Sequence, residues 1–151
     1  GYYLNNELTD FSRTPEVDGR FVANRVEGGK RPRSSMSPTI VFDPEGRPFM
    51  AVGAAGGSTI PVTTARAIIG AIDFGLNARD ALALPFTMAF GDQVLLEEGT
   101  WLQTHAKEFR KLGHDEIMIR AAPIKGGTVL RRAGGWESAR DPRLDGQLDL
   151  P

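Results

Sequence analysis

Two carboxylates near the start of the chain could hold a positively charged group. Glu7 and Asp10 are three residues apart in the segment NNELTD, so in a turn or a helical bend they lie on the same side. Together they would attract an ammonium group. The alternative is that Asp10 only caps the segment that follows it.

A run of hydroxyl groups in the segment KRPRSSMSPTI could bind the opposite charge. Ser34, Ser35 and Ser37 follow closely after three basic residues. Hydroxyl donors in such a place could hold a carboxylate. The alternative is an ordinary loop of solvated charges, in which the serine side chains bond to their own backbone.

A glycine pair, Gly56–Gly57, lies between an apolar run and a helical pattern. Glycines there allow backbone N–H groups to converge on a negative oxygen, with help from the helix macrodipole. The pair could form an oxyanion hole, or it could serve only as a turn and a close-packing device. The segment matches neither a Walker loop nor a dinucleotide fingerprint, and Ser58 lacks the glycine spacing of a nucleophile elbow.

The histidines add no comparable signal. His105 and His114, the two in the chain, are not spaced like metal ligands, and nothing specific supports a Ser-His-Asp triad.

The three clusters described above combine into one pattern. An acidic pair, a hydroxyl loop and a glycine loop suit an α-amino acid head group beside a carbonyl under attack.

The elements that must position these residues follow from local patterns. Residues 39–58 predict a hairpin around Asp43 to Gly46, and Thr59 to Phe74 has helical spacing that Gly75 ends. Further predictions are a short helix from Asn77 through Leu84, a helix with a Thr100/Gln103 capping box that ends at Gly113, and strands at 116–120 and 128–132. This order predicts an α+β fold with a largely antiparallel sheet.

Composition narrows the class of protein. The 151 residues suit a single domain, and 18 basic against 19 acidic residues give a net charge of −1. This balance argues against nucleic acid and anionic membranes as partners. The sequence has no Cys, which excludes disulfides and thiolate chemistry. It also has no apolar stretch near the ~20 residues that a membrane span needs.

The motifs resemble the small (β) subunit of the γ-glutamyltranspeptidase family, whose members are N-terminal-nucleophile hydrolases. The resemblance is carried by LNNELTDFS at 4–12, GGKRPRSSMSPTIV at 28–41, AAGGSTI at 54–60 with AIDFGLNARDALALP at 71–85, and ARDPR at 139–143. It implies an αββα sandwich with largely antiparallel sheets, of which residues 1–151 form part. It also implies γ-glutamyl transfer from glutathione-like donors to water or to an amino acid or peptide, without cofactor or metal. The implied partner is the large subunit of the same precursor, and the implied location is periplasmic or secreted.

The resemblance also implies roles for individual residues. Glu7 and Asp10 match residues that bind the α-ammonium of the substrate, and Ser34 and Ser35 match the pair that binds its α-carboxylate. Gly56 and Gly57 match the glycines whose N–H groups form the oxyanion hole. The family's nucleophile is a Thr at the start of this subunit, which forms an acyl-enzyme. We expect it to precede the 151 residues, so that this chain alone is inactive.

Some positions depart from the family pattern, and two alternatives stay open. Ala55 replaces a usual Pro, Thr9 replaces a common Asp, and residues 86–93 differ from the family's aromatic and His-rich segment. One alternative is a cephalosporin or glutaryl acylase, against which Asp10 argues, because an unpaired carboxylate would cost binding. The other is a non-catalytic homologue or ligand-binding module.

Overall fold

The computed structural model describes residues 4–145. The chain divides into two compact units, Gly1–Ser35 and Met36–Pro151. Among the described helices, none is long and apolar enough to cross a membrane.

The first unit is built from short elements. A 3₁₀ helix, Glu7–Asp10, is followed by a small hairpin of strands β1 (Glu16–Val17) and β2 (Arg20–Phe21). The hairpin turn uses two residues with positive φ, Asp18 at 50° and Gly19 at 72°, as tight two-residue hairpins require.

Over residues 36–145, the second unit holds two sheets and three α-helices. The strands are β3 (Thr39–Phe42), β4 (Pro48–Ala55), β5 (Thr87–Phe90), β6 (Gln93–Glu97), β7 (Glu116–Arg120), β8 (Lys125–Arg132) and β9 (Gly135–Arg140). A four-stranded antiparallel sheet has the order β3-β4-β8-β9, and a three-stranded sheet has the order β5-β6-β7 with β6 and β7 parallel. The helices are α1 (Ile60–Ile72), α2 (Ala78–Ala83) and α3 (Ala106–Lys111).

The predicted hairpin and first two helices are present. Strands β3 and β4 pair around Asp43, whose Oδ1 accepts a hydrogen bond from the Arg47 N–H at 2.8 Å. Helix α2 begins after Asn77, whose Oδ1 accepts from the Asp80 N–H at 2.8 Å. Together with the sheets, these helices confirm the α+β class and the largely antiparallel pairing.

Helices α1 and α2 cover one face of the four-stranded sheet and form the main core with it. At Gly70 of α1, an added Cβ would lie 3.0 Å from the Cα of Ala81, so the two helices meet closely where Gly allows it. The buried side chains of this core are Met50, Val52, Ala67, Ala71, Ala78, Ala81, Leu82 and Leu130.

The predicted helix after Thr100 differs from the structure. The segment starts as a 3₁₀ helix, Trp101–His105, and becomes α-helical only in α3. The Thr100 hydroxyl donates to the Glu97 carbonyl at 2.7 Å instead of accepting from the Gln103 N–H, and Gln103 Oε1 accepts from the Gly99 N–H at 3.2 Å. The predicted capping box is therefore wrong, because both of its side chains bond to the preceding turn.

A buried ionic cluster connects the turn around Arg143 with helix α2 and strand β6. Arg143 donates to Glu97 Oε2 at 2.7 Å, to Asp141 Oδ1 at 3.0 Å and to the carbonyls of Leu82 and Leu84 at 2.9 Å each. The latter two oxygens belong to the end of α2, where carbonyls have no helical partner. Burial, the largest effect, lowers the pKa of the neighbouring Arg66 to about 10, and the Arg143 charge acts in the same direction.

Candidate active site

The acidic pair lies on a turn that is fastened by its neighbours. In the 3₁₀ helix Glu7–Asp10, residues three apart are eclipsed, so both carboxylates are on one side. Asn5 Oδ1 accepts from the Glu7 N–H at 3.1 Å, and the Thr9 hydroxyl donates to the Asn6 carbonyl at 2.7 Å. The Asn5 amide oxygen and the Thr9 hydroxyl thus bond to the backbone of the turn and not to the two carboxylates.

Neither carboxylate has a side-chain partner among the described residues. Across residues 4–145, the side chains of Glu7 and Asp10 make no hydrogen bond or ion pair, and Asp10 does not act as a side-chain cap. Glu7 Oε1 is also withdrawn from solvent without a donor among these residues. A shielded acceptor of this kind carries a desolvation penalty until a donor reaches it. The turn is therefore suited to a cationic ligand.

Asn24 connects this turn with the segment that precedes the serines. Its Nδ2 donates to the Asp10 carbonyl at 2.7 Å, and its Oδ1 accepts from the Arg33 N–H at 2.8 Å. Its own carbonyl accepts from the Ser12 N–H at 2.8 Å. The Asn24 side chain thus joins the acidic turn to Arg33, the residue directly before the serines. Sequence reasoning missed Asn24, because an Asn beside Ala and Arg carries no local signal.

The hydroxyl loop directly follows Arg33. Ser34 is exposed and Ser35 is half-buried, and both belong to the same unit as the acidic turn. Of the preceding cations, Lys30 is engaged by Glu27 at 2.8 Å.

The glycine loop lies in the second unit, between strand β4 and helix α1. Both glycines have positive φ, 147° at Gly56 and 59° at Gly57, which L side chains rarely adopt. Residues Gly57–Thr59 form a single 3₁₀ turn that leads into α1. The first N–H groups of such a turn have no acceptor within it, so they can serve an oxyanion.

A residue that sequence reasoning missed closes this loop. The Thr59 hydroxyl donates to the Gly56 carbonyl at 2.8 Å, and Thr59 is only 2% exposed. A Thr three residues after a glycine can bond back to that carbonyl, so a local signal was present.

The histidines contact aromatic rings. The His105 ring meets Trp101 edge-on at 5.5 Å, and the His114 ring lies 6.1 Å from that of Phe109. No group of three or more His, Asp or Glu side chains in the described part of the chain is arranged to hold a metal ion.

Comparison with known families gives a match over nearly the whole chain. The family model described as gamma-glutamyltranspeptidase matches residues 1–149. The chain belongs to the gamma-glutamyltranspeptidase family. Within the family, the chain is 34% identical over 152 residues to a glutathione hydrolase of Aspergillus flavus. The alignment covers 95% of this chain and 26% of that relative. The chain thus spans about a quarter of the relative's length.

Solved structures agree with this assignment. The gamma-glutamyltranspeptidase of Helicobacter pylori, solved as a point mutant, superposes with a TM-score of 0.76 at 32% identity. The superposition covers 95% of this chain and 82% of the Helicobacter pylori chain. The cephalosporin acylase of Bacillus halodurans superposes with a TM-score of 0.70 at 26% identity, over 89% of this chain and 25% of the acylase chain. The chain therefore has the N-terminal-nucleophile hydrolase fold of the gamma-glutamyltranspeptidase family.

Proposed function

We propose that the full-length protein containing this chain transfers γ-glutamyl groups from glutathione-like donors to water or to an amino acid. The observation that carries the proposal is the acidic turn, where two carboxylates share one side and Glu7 Oε1 is shielded without a donor from residues 4–145. An α-ammonium group supplies the missing donors and the opposite charge. The donor's α-carboxylate is assigned to Ser34 and Ser35, and its γ-carbonyl oxygen to the N–H groups at Gly56 and Gly57.

The reaction then follows the chemistry that the family implies. The hydroxyl of an N-terminal Thr from outside these 151 residues attacks the γ-carbonyl carbon, with the Thr α-amine as base. The γ-amide bond breaks, its nitrogen leaves with a proton, and a γ-glutamyl ester remains on the Thr. Water or an amine then attacks the ester and regenerates the hydroxyl. The large subunit of the same precursor is the proposed partner, and export to the periplasm or the medium is the proposed location.

A second candidate is supported by the likeness to the cephalosporin acylase. Such an enzyme would take an acyl group that has no α-ammonium, and the acidic turn would then face no partner. Because an unpaired carboxylate in a binding site costs affinity, the turn favours the γ-glutamyl donor.

The test is a comparison of two anilide substrates with the full-length protein. γ-Glutamyl anilide and glutaryl anilide differ only in the α-ammonium group. We expect release of the aniline from the γ-glutamyl compound and much slower release from the glutaryl compound. A preference for the glutaryl compound would assign the protein to the acylases. Turnover of neither compound, with glutamate bound in calorimetry, would indicate a non-catalytic binding module.

A further inference from the structure

Thr59 holds the glycine loop through a single carbonyl group. Its hydroxyl donates to the Gly56 carbonyl at 2.8 Å, and its backbone N–H donates to the same oxygen at 3.2 Å. Thr59 is itself anchored in helix α1, because its carbonyl accepts from the Thr63 hydroxyl at 2.9 Å. The Gly56 carbonyl is therefore fixed against the start of a buried helix.

Fixing this carbonyl also fixes the N–H of the next residue. The Gly56–Gly57 peptide is trans, and the C=O and N–H of a trans peptide point in opposite directions. With its carbonyl on Thr59, the peptide directs the Gly57 N–H away from Thr59. Glycine otherwise permits many backbone conformations, so without this contact the peptide plane could rotate.

The two glycines have different surroundings that fit this arrangement. A Cβ on Gly56 would lie 2.4 Å from Thr59 Oγ1 and 2.8 Å from the Pro123 carbonyl, so only glycine allows Thr59 so near. A Cβ on Gly57 would meet no atom within 4 Å. The loop is thus packed tightly at Gly56 and open at Gly57, where a substrate oxygen would have access.

We propose that Thr59 is a positioning residue for acyl transfer, whose hydroxyl holds the Gly56–Gly57 peptide so that the Gly57 N–H can stabilise the oxyanion. This inference rests on the proposed function. Its basis is that oxyanion donors act through their preorganised orientation, since a donor that must rotate during the reaction stabilises the transition state less.

The test uses Thr59→Val and Thr59→Ser in the full-length protein. Val keeps the shape and removes the hydroxyl, whereas Ser keeps the hydroxyl. We expect Val to lower kcat for γ-glutamyl anilide about tenfold, less than the roughly 10²–10³-fold loss of a whole oxyanion donor, because the Thr59 N–H still bonds Gly56. KM should stay nearly constant, and Ser should recover most of the rate.

A second readout separates orientation from simple stability. A γ-boronic acid analogue of glutamate forms a tetrahedral adduct with the nucleophile and places an oxygen where the oxyanion forms, so Thr59→Val should weaken it by about the factor lost in kcat. The matched control is Thr64→Val in helix α1. Thr64 is 3% exposed and its hydroxyl has no partner among residues 4–145, so this variant should retain kcat and boronate affinity.

Three results would overturn the proposal. The first is wild-type kcat and boronate affinity in Thr59→Val, and the second is an equal loss in Thr59→Ser. If Thr59→Val does not fold, Thr59→Ala is compared with Thr59→Ser, since the two side chains differ only in the hydroxyl. Equal kcat values in these two variants are the third result.

In each case, turnover of the γ-glutamyl anilide by the wild-type protein would leave the proposed function standing. An inactive wild type would instead refute the proposed function, and with it the role of Thr59.

Discussion

At the scale of single residues, Asp10 offers the most direct test of the head-group site. Truncating one partner of a desolvated charge pair leaves the other charge unpaired, so Asp10→Ala should lower kcat/KM for a γ-glutamyl donor by roughly 30-fold to several thousand-fold. The measurement is steady-state hydrolysis of γ-glutamyl anilide by the full-length protein. Glu16→Ala, which removes an exposed acid of the same unit, is the charge-matched control and should have little effect.

A glutaryl donor distinguishes ammonium binding from a structural role of Asp10. Wild type should reject this donor, and Asp10→Ala should lose most of that preference, because no carboxylate is then left unpaired. An equal loss of activity on both donors would make Asp10 a structural residue.

Gly57 tests whether backbone conformation matters in the glycine loop. Its φ of 59° is left-handed, and an added Cβ would meet no atom within 4 Å, so strain and not collision limits substitution. Gly57→Val should lower kcat by roughly 10²–10³-fold with a smaller effect on KM. Gly57→Asn should lose less, since Asn tolerates the left-handed region. A normal kcat with a raised KM would assign the glycine to ground-state binding.

At the scale of elements, Arg143 joins helix α2, strand β6 and the turn at Asp141. Its partners Glu97 and Asp141 have side chains 8% and 0% exposed. Removing one member of a buried ionic group leaves uncompensated charges, so Arg143→Met should lower the free energy of unfolding by about 3–5 kcal/mol. Urea denaturation of the full-length protein, followed by circular dichroism, measures this change.

The matched control for Arg143 is Arg79→Met. Arg79 pairs with Asp145 at 2.5 Å, but the two side chains are 57% and 42% exposed. Exposed ion pairs are screened by water and salt, so this variant should unfold almost as the wild type does. Similar losses of unfolding free energy in both variants would show that the buried cluster around Arg143 stabilises the fold no more than an exposed ion pair does.

At the scale of the whole molecule, the four-stranded sheet has one face covered by helices and one face that stays exposed among the described residues. Helices α1 and α2 pack on the side of Met50 and Leu130, while Ile40 and Val129 on other positions of the sheet stay 62% and 37% exposed. In an αββα sandwich a second sheet packs on the face that the helices leave open. The chain therefore supplies part of a layered structure, and the Aspergillus flavus relative is about four times as long as this chain.

The corresponding prediction is that the purified 151-residue chain does not turn over γ-glutamyl anilide. The reason is that the proposed nucleophile and the proposed large subunit lie outside it. The full-length protein in the same assay is the positive control. Turnover that rises in proportion to the concentration of the isolated chain would show that the nucleophile is among these residues.

The sequence alone predicted features that depend on near neighbours. The β3–β4 hairpin, helix α1 and the Asn77 cap of α2 arise from turn residues, helical spacing and a bond across three residues. Strands β5 and β6 were missed, although Gly91 and Asp92 between two apolar runs are typical of a hairpin turn, and Gly91 has a φ of 61°. The motifs identified the family and suggested the acidic turn, the serine pair and the glycine pair as site residues.

Only the tertiary structure decided which groups are engaged and which are left for a ligand. Asn24 reaches Asp10 across 14 residues, and Arg143 reaches Glu97 across 46. The parallel pairing of β6 with β7 likewise joins strands on either side of α3. Such contacts depend on the path of the folded chain, and any residue of the right type could make them, so spacing in the sequence does not specify them. The same path leaves Glu7 Oε1 shielded, with no donor in the described part of the chain, and no local pattern in the sequence predicts that.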